Sequence, residues 1–239
     1  MAEVKTYAEV GGDGACLLYT FDPPGLLVRA ECLERGLAEA PAAARRLRAW
    51  LAQGGLVGLL AEGWAEGETP QVAVAEMVRR RGPVGNGNTR ATFQRDLVQL
   101  SPPELVAGIA VLGHLRSELW ALKAELPDGA YPYRSLPHRM TIAEQLNHMA
   151  DCDRWYLSRF WADLPRLPRS TDVWQKLALN RDRALSVLSG MTPADMRRQV
   201  TVDSQVWTAR KVVRRCMYHE RFHLDTIRRD LELYGAAGA

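Results

Sequence analysis

From Val206 to Tyr234 the chain has neither glycine nor proline, and inside that stretch His219 and His223 stand four residues apart. So long a run without a helix breaker predicts one long helix, with Thr208 as its N-cap and Gly235 just past its end. Val212, Cys216, His219, His223 and Ile227 form a continuous stripe at helical period. Helical residues four apart lie one above the other, so both imidazoles belong to the face that should be buried. A buried imidazole needs a polar partner. Two arrangements supply one: a metal ion shared by both rings, or a separate backbone carbonyl for each.

The rest of the chain changes character near residues 82–92. Before that point it reads as strands and one helix. Val4 to Val10, Ala15 to Phe21 and Leu26 to Glu31 are strand-like, separated by the turns Gly11-Gly12-Asp13-Gly14 and Asp22-Pro23-Pro24-Gly25. Leu33 to Gln53 reads as a helix, in which Pro41 suits a first turn better than an interior position. Gln71 to Arg80 alternates as a last strand. Residues 83–94 open with Pro83-Val84-Gly85-Asn86-Gly87-Asn88 and read as a linker.

After the linker come four helices. The first spans about Pro103 to Leu126. The second starts at the capping box Thr141-Ile142-Ala143-Glu144 and runs to about Ala162. The third starts at Ser170 or Thr171 and stops before Gly190, and the fourth is the glycine-free run. The fold class is therefore α+β in two domains: a β-β-β-α-β unit over 1–82 and a four-helix bundle over 95–239.

On the second helix, His148 sits at the edge of an apolar arc formed by Ile142, Leu146, Met149, Cys152, Tyr156 and Phe160, from where it could reach a neighbouring helix. By itself it reads as structural or exposed, and its claim as a ligand depends on the 219/223 pair. Cys216, one turn before His219, could be a fourth ligand or a reactive thiol, but a small buried hydrophobe is the plainer reading, and the same holds for Cys152. His114 and His138 match no pattern. Trp155, Trp174 and Trp207 read as core, and Arg210, Lys211, Arg214 and Arg215 as the solvated side of the last helix.

The stretch Thr141-Ile142-Ala143-Glu144-Gln145-Leu146-Asn147-His148 with Trp155-Tyr156 resembles the DinB-like metalloprotein superfamily. So does Trp207-Thr208-Ala209-Arg210-Lys211-Val212-Val213-Arg214-Arg215 leading into His219-Glu220-Arg221-Phe222-His223. The resemblance covers about residues 95–235. It implies a four-helix bundle holding one divalent metal through His148, His219 and His223, often as a homodimer, with thiol-dependent isomerases and S-transferases among its members. Over the first third, the element order, the Pro-Gly turn after Phe21 and the Val-Ala-Val-Ala-Glu strand at 72–76 are similar to the HicB-like small domain. No DNA-binding element accompanies them.

Three neutral imidazoles leave an open coordination position, as catalytic sites do. Zinc or nickel suits such ligands best, with iron or manganese also possible. Glu144, Asp151 and Glu220 are the acceptors that could orient the rings, unless they simply face solvent. Two functions fit. One is a metal-dependent enzyme of S-transferase or hydrolase type, activating a low-molecular-weight thiol or water for a small-molecule substrate. The other is a non-catalytic metal-binding stress or interaction module whose N-terminal domain holds a protein partner.

A net charge of +3 makes nucleic acid an unlikely ligand. No apolar run near the roughly 20 residues of a membrane helix is evident. With no leader at the N-terminus and four scattered cysteines, the expectation is a cytoplasmic protein with free thiols.

Overall fold

The computed structural model describes residues 2–60, 64, 66–84, 89–135, 140–161, 165–168 and 171–238, with residues 237 and 238 described by backbone alone. Residues 85–88 of the predicted linker, His138 and the alternative helix start at Ser170 lie outside these.

Strands β1 (Glu3–Val10), β2 (Cys16–Thr20) and β3 (Leu27–Ala30) follow the alternation of the sequence, and helix α1 (Leu33–Gln53) then leads to β4 (Gln71–Arg79). The sheet order is β3-β2-β1-β4. The first three strands form an antiparallel meander, and β4 lies parallel to β1. A parallel partner requires a crossover, and α1 provides it. Pro41 is inside α1 and not at its first turn. It removes one backbone bond, but Ala40, Ala43, Ala44, Leu47 and Leu51 are buried along the sheet-facing side and hold the helix through it.

The sheet is covered on both faces. Val4, Ala8, Leu18 and Val28 join the core beneath α1. Leu17, Tyr19 and Phe21 form a second cluster with Val84, Ala91, Phe93 and Tyr218. Thus Val84, Ala91 and Phe93, in the segment read from composition as linker, contribute buried side chains to the far face of the sheet.

Helix α2 (Gln94–Leu97) leads to α3 (Pro102–Glu125), α4 (Ile142–Ser158), α5 (Val173–Ser189), α6 (Pro193–Arg197), the hairpin β5 (Gln199–Val202) and β6 (Gln205–Thr208), and α7 (Ala209–Gly238). Helix α3 packs on α5 and α7, and α4 packs on α5 and α7. The starts are capped by Ser101, Thr141, Asp172 and Thr192. Thr208 accepts the Lys211 N–H at 3.1 Å, as its N-cap role requires. The glycine-free run is not all helix: Val206–Thr208 belong to β6, whose two-residue turn places Asp203 and Ser204 at φ 50° and 59°. At the other end α7 continues through Gly235 to Gly238.

Helix α3 is long and apolar enough by composition to cross a membrane, contrary to the reading that no such segment exists. It carries Arg116, which is buried in ion pairs with Asp153 and Glu220, and its leucines pack in the core.

The basic side of α7 is not solvated. Arg210, Lys211, Arg214 and Arg215 are all buried. Arg214 grips Asp96 with Nε–Oδ1 at 2.8 Å and Nη2–Oδ2 at 2.7 Å, and Arg210 binds Glu104 through two nitrogens at 2.6 Å each. The segment before α3 and the first turn of α3 cover this face, and Asp96 and Glu104 compensate the charge. Tyr218, next along α7, donates its hydroxyl hydrogen to the Thr20 carbonyl and accepts from the backbone N–H of Thr20 and Gly25, both at 3.2 Å. These contacts join α7 to the sheet.

Candidate metal centre

Two rows of side chains at four-residue steps face each other across α4 and α7, running in opposite directions. On α4 the row is His148, Cys152, Tyr156, and on α7 it is Arg215, His219, His223. Nε2 of His219 lies 2.9 Å from Nε2 of His148 and 3.4 Å from Sγ of Cys152. Cys152 Sγ is 3.6 Å from His148 Nε2. The His223 ring packs on both other imidazoles, its centroid 4.5 Å from that of His219 and 5.1 Å from that of His148. Ligand atoms of His148, Cys152 and His219 all lie within 4.8 Å of one another, close enough to hold one metal ion.

The three predicted histidines are thus in mutual contact. The cysteine that joins them is Cys152, not Cys216, which is buried outside this set. Its signal in the sequence was the four-residue step from His148, the same spacing that drew attention to 219 and 223.

The protonation states suit metal binding. Burial pushes His219 well below the ordinary histidine value, and the neighbouring His223 and His148 reinforce the shift. Burial also lowers His148. Both rings are therefore neutral at pH 7, the form in which an imidazole nitrogen can ligate. Burial, followed by the charge of Asp153, pushes the Cys152 thiol upward.

The groups that hold the rings differ from those predicted. His223 Nδ1 is 3.4 Å from Oε1 of Gln145, whose Nε2 donates to Asp230 at 2.8 Å, and Asp230 also accepts from the Ser135 hydroxyl. Gln145 and Asp230 were missed because each lies on a different turn from the histidine motif. Glu144 is used by its own capping box and lies 3.6 Å from Arg134. Glu220 is buried in a cluster with Arg116, Arg181 and Asp153, where Arg181 Nε is 2.8 Å from Asp153 and Arg116 Nε is 3.0 Å from Glu220. Asp153 directly follows Cys152 and Glu220 directly follows His219. The neutral cluster therefore sets the rotation of both helices beside the site. Asp151 lies on the pocket wall.

The rings open on a cavity of about 420 Å3 bounded also by Met140, Arg154, Trp155, Tyr156 and Arg215. Trp155 is on this wall and 36% exposed, so it is not core, unlike Trp174 and Trp207. His114 is elsewhere, its Nε2 3.1 Å from the Trp50 carbonyl, where it ties α3 to α1.

No curated protein and no solved structure matches this chain significantly. The family match does not reach residues 1–82, and the HicB-like likeness is not shown there. Residues 112–227, which contain all three histidines and Cys152, match the model of the DinB superfamily, a group whose members commonly bind metal, and over that segment the chain is DinB-like.

Proposed function

We propose that the protein is a metal-dependent enzyme built on a bundle of α3, α4, α5 and α7, with His148, His219 and His223 as ligands of one divalent ion. The observation that carries this reading is the contact of three imidazoles, His219 held neutral by its surroundings, at the floor of a cavity large enough for a small molecule. The donor set fits the metal: nitrogen ligands suited to zinc or nickel, and to iron or manganese less closely, with Gln145 and Asp230 behind His223. When bound, such an ion would supply a Lewis acid that activates a thiol or a water.

The chain's own residues orient and enclose. The Arg116–Asp153–Arg181–Glu220 cluster fixes α4 against α7. Trp155 and Tyr156 form an apolar wall that limits water around the substrate. The reaction class is S-transfer or hydrolysis on a small molecule, with a low-molecular-weight thiol as co-substrate, in the cytoplasm and as a homodimer. The unit 1–82, with its HicB-like element order, is a separate domain in this reading.

The placement of Cys152, 3.4 Å from His219, favours a second reading in which sulfur is a fourth ligand and the site is closed and non-catalytic. Metal analysis with cobalt substitution decides between the two. A stoichiometric ion without sulfur-to-cobalt charge-transfer absorption supports the enzyme. A strong thiolate band supports the module, and absence of metal from protein purified without chelator removes both.

A further inference from the structure

Five arginines at or near this bundle interior are buried: Arg116, Arg181, Arg210, Arg214 and Arg215. The first four are each paired with carboxylates. Arg215 has no carboxylate partner among the described residues, although it is only 3% exposed. Its Nη2 reaches the Tyr156 hydroxyl at 3.4 Å, and its Nε and Nη1 have no hydrogen-bond partner among the described residues. The guanidinium lies over the rings of Tyr156 and Trp207, at 4.9 and 5.6 Å from their centroids. Ring faces compensate a buried cation only in part. A guanidinium does not shed its proton, so the remaining cost calls for an anion.

Arg215 lines the cavity, one turn before His219. Arg154 adds a second cation to the wall, its Nε buried with no hydrogen-bond partner among the described residues, and the exposed Asp151 lies on the same wall. Met140, Trp155 and the Tyr156 ring supply the apolar part of the lining, and the three histidines and Cys152 the rest.

We propose that Arg215 anchors the carboxylate of a small organic acid, with the acid's apolar body against Trp155 and Tyr156 and its other end toward His148 and His219. The planar fork of Arg215, set among ring faces, matches the planar oxygens of a carboxylate. The proposal rests on reading this cavity as the reaction site, and it names the substrate class of that site.

The test uses benzoate as probe and benzamide as its uncharged control, titrated into the full-length protein while tryptophan fluorescence is followed. Benzoate should bind saturably and about tenfold or more tighter than benzamide. Arg215→Met should abolish the preference and Arg215→Lys should retain part of it, with metal content at the wild-type level in both. Circular dichroism checks the fold, and if Arg215→Met fails to fold, Arg215→Lys against wild type carries the comparison. Equal affinities, no saturable benzoate binding to wild type, or an unchanged preference in the variants overturns the proposal. Metal content measured on the same samples separates the two readings. Metal-free protein that still prefers benzoate through Arg215 would sink the proposed function alone, and metal-loaded protein indifferent to benzoate would sink this inference alone.

Discussion

His148 and His219 are 71 positions apart in the chain, yet their Nε2 atoms lie 2.9 Å apart. Two neutral imidazoles can meet in this way as donor and acceptor, or both can turn lone pairs toward one cation. Histidine substitutions separate these cases. Purified protein should carry about one equivalent of divalent metal, and His148→Ala or His219→Ala should lower metal affinity by at least roughly tenfold to a hundredfold. Cys152→Ala should keep the stoichiometry. Elemental analysis after dialysis reads all three.

The buried charge cluster behind the histidines should be costly to break. Glu220→Ala leaves Arg116 and Arg181 with one carboxylate between them in a buried setting. The expected loss is about 3–5 kcal/mol, read from urea unfolding. A loss below about 1 kcal/mol would show that the cluster does not hold α7 in place.

Glu104 gives an acid-side signature. Burial would raise its pKa, but hydrogen bonds from Arg210 and Ser101 and the charge of Arg210 outweigh that and bring it down to about 2. A depressed carboxylate contributes stability that is full above the unfolded value of about 4.3 and is lost as pH falls through the folded one. The drop in melting temperature from pH 5 to pH 3 should therefore be smaller in Glu104→Gln than in wild type.

Lys211 acts on the alkaline side. Burial, then the charges of Arg214 and Arg215, lower it to about 7, while its Nζ donates to Thr92 and to the Val206 carbonyl. Between that value and the unfolded one near 10.4 the unfolded chain binds more protons, so stability from this group rises with pH across the window. Lys211→Met should remove the rise, and thermal melts at pH 7 and pH 9 measure it.

Gly108 sets the approach of α3 to α7. A Cβ there would stand 2.5 Å from Cγ1 of Val213, on a stiff β-branched side chain. Gly108→Ala should destabilise by about 1–3 kcal/mol despite its better helix propensity. A more stable variant would show that the helices can separate freely.

Periodicity made much of this molecule legible. The β-β-β-α-β order, α1 from Leu33 to Gln53, and the long helix with its Thr208 cap follow from local patterns. The hairpin at 199–208 was less visible, because its strands are only four residues each and its turn lacks glycine. The basic run on α7 was misread for a different reason. A charged helix face reads as solvated unless something covers it, and here Asp96 and Glu104, over a hundred residues earlier, do so.

The sequence by itself determined which side chains share a helix face, because that depends only on the 3.6-residue turn. His219 with His223 was readable on those terms, and so was the step from His148 to Cys152. Only the tertiary structure decided which faces meet: that Cys152 and not Cys216 stands among the imidazoles, that Gln145 and Asp230 back His223, and that Arg215 lies at the cavity without a carboxylate partner among the described residues. Each of these depends on the packing of α4 against α7, a contact between residues some seventy positions apart that no local period encodes.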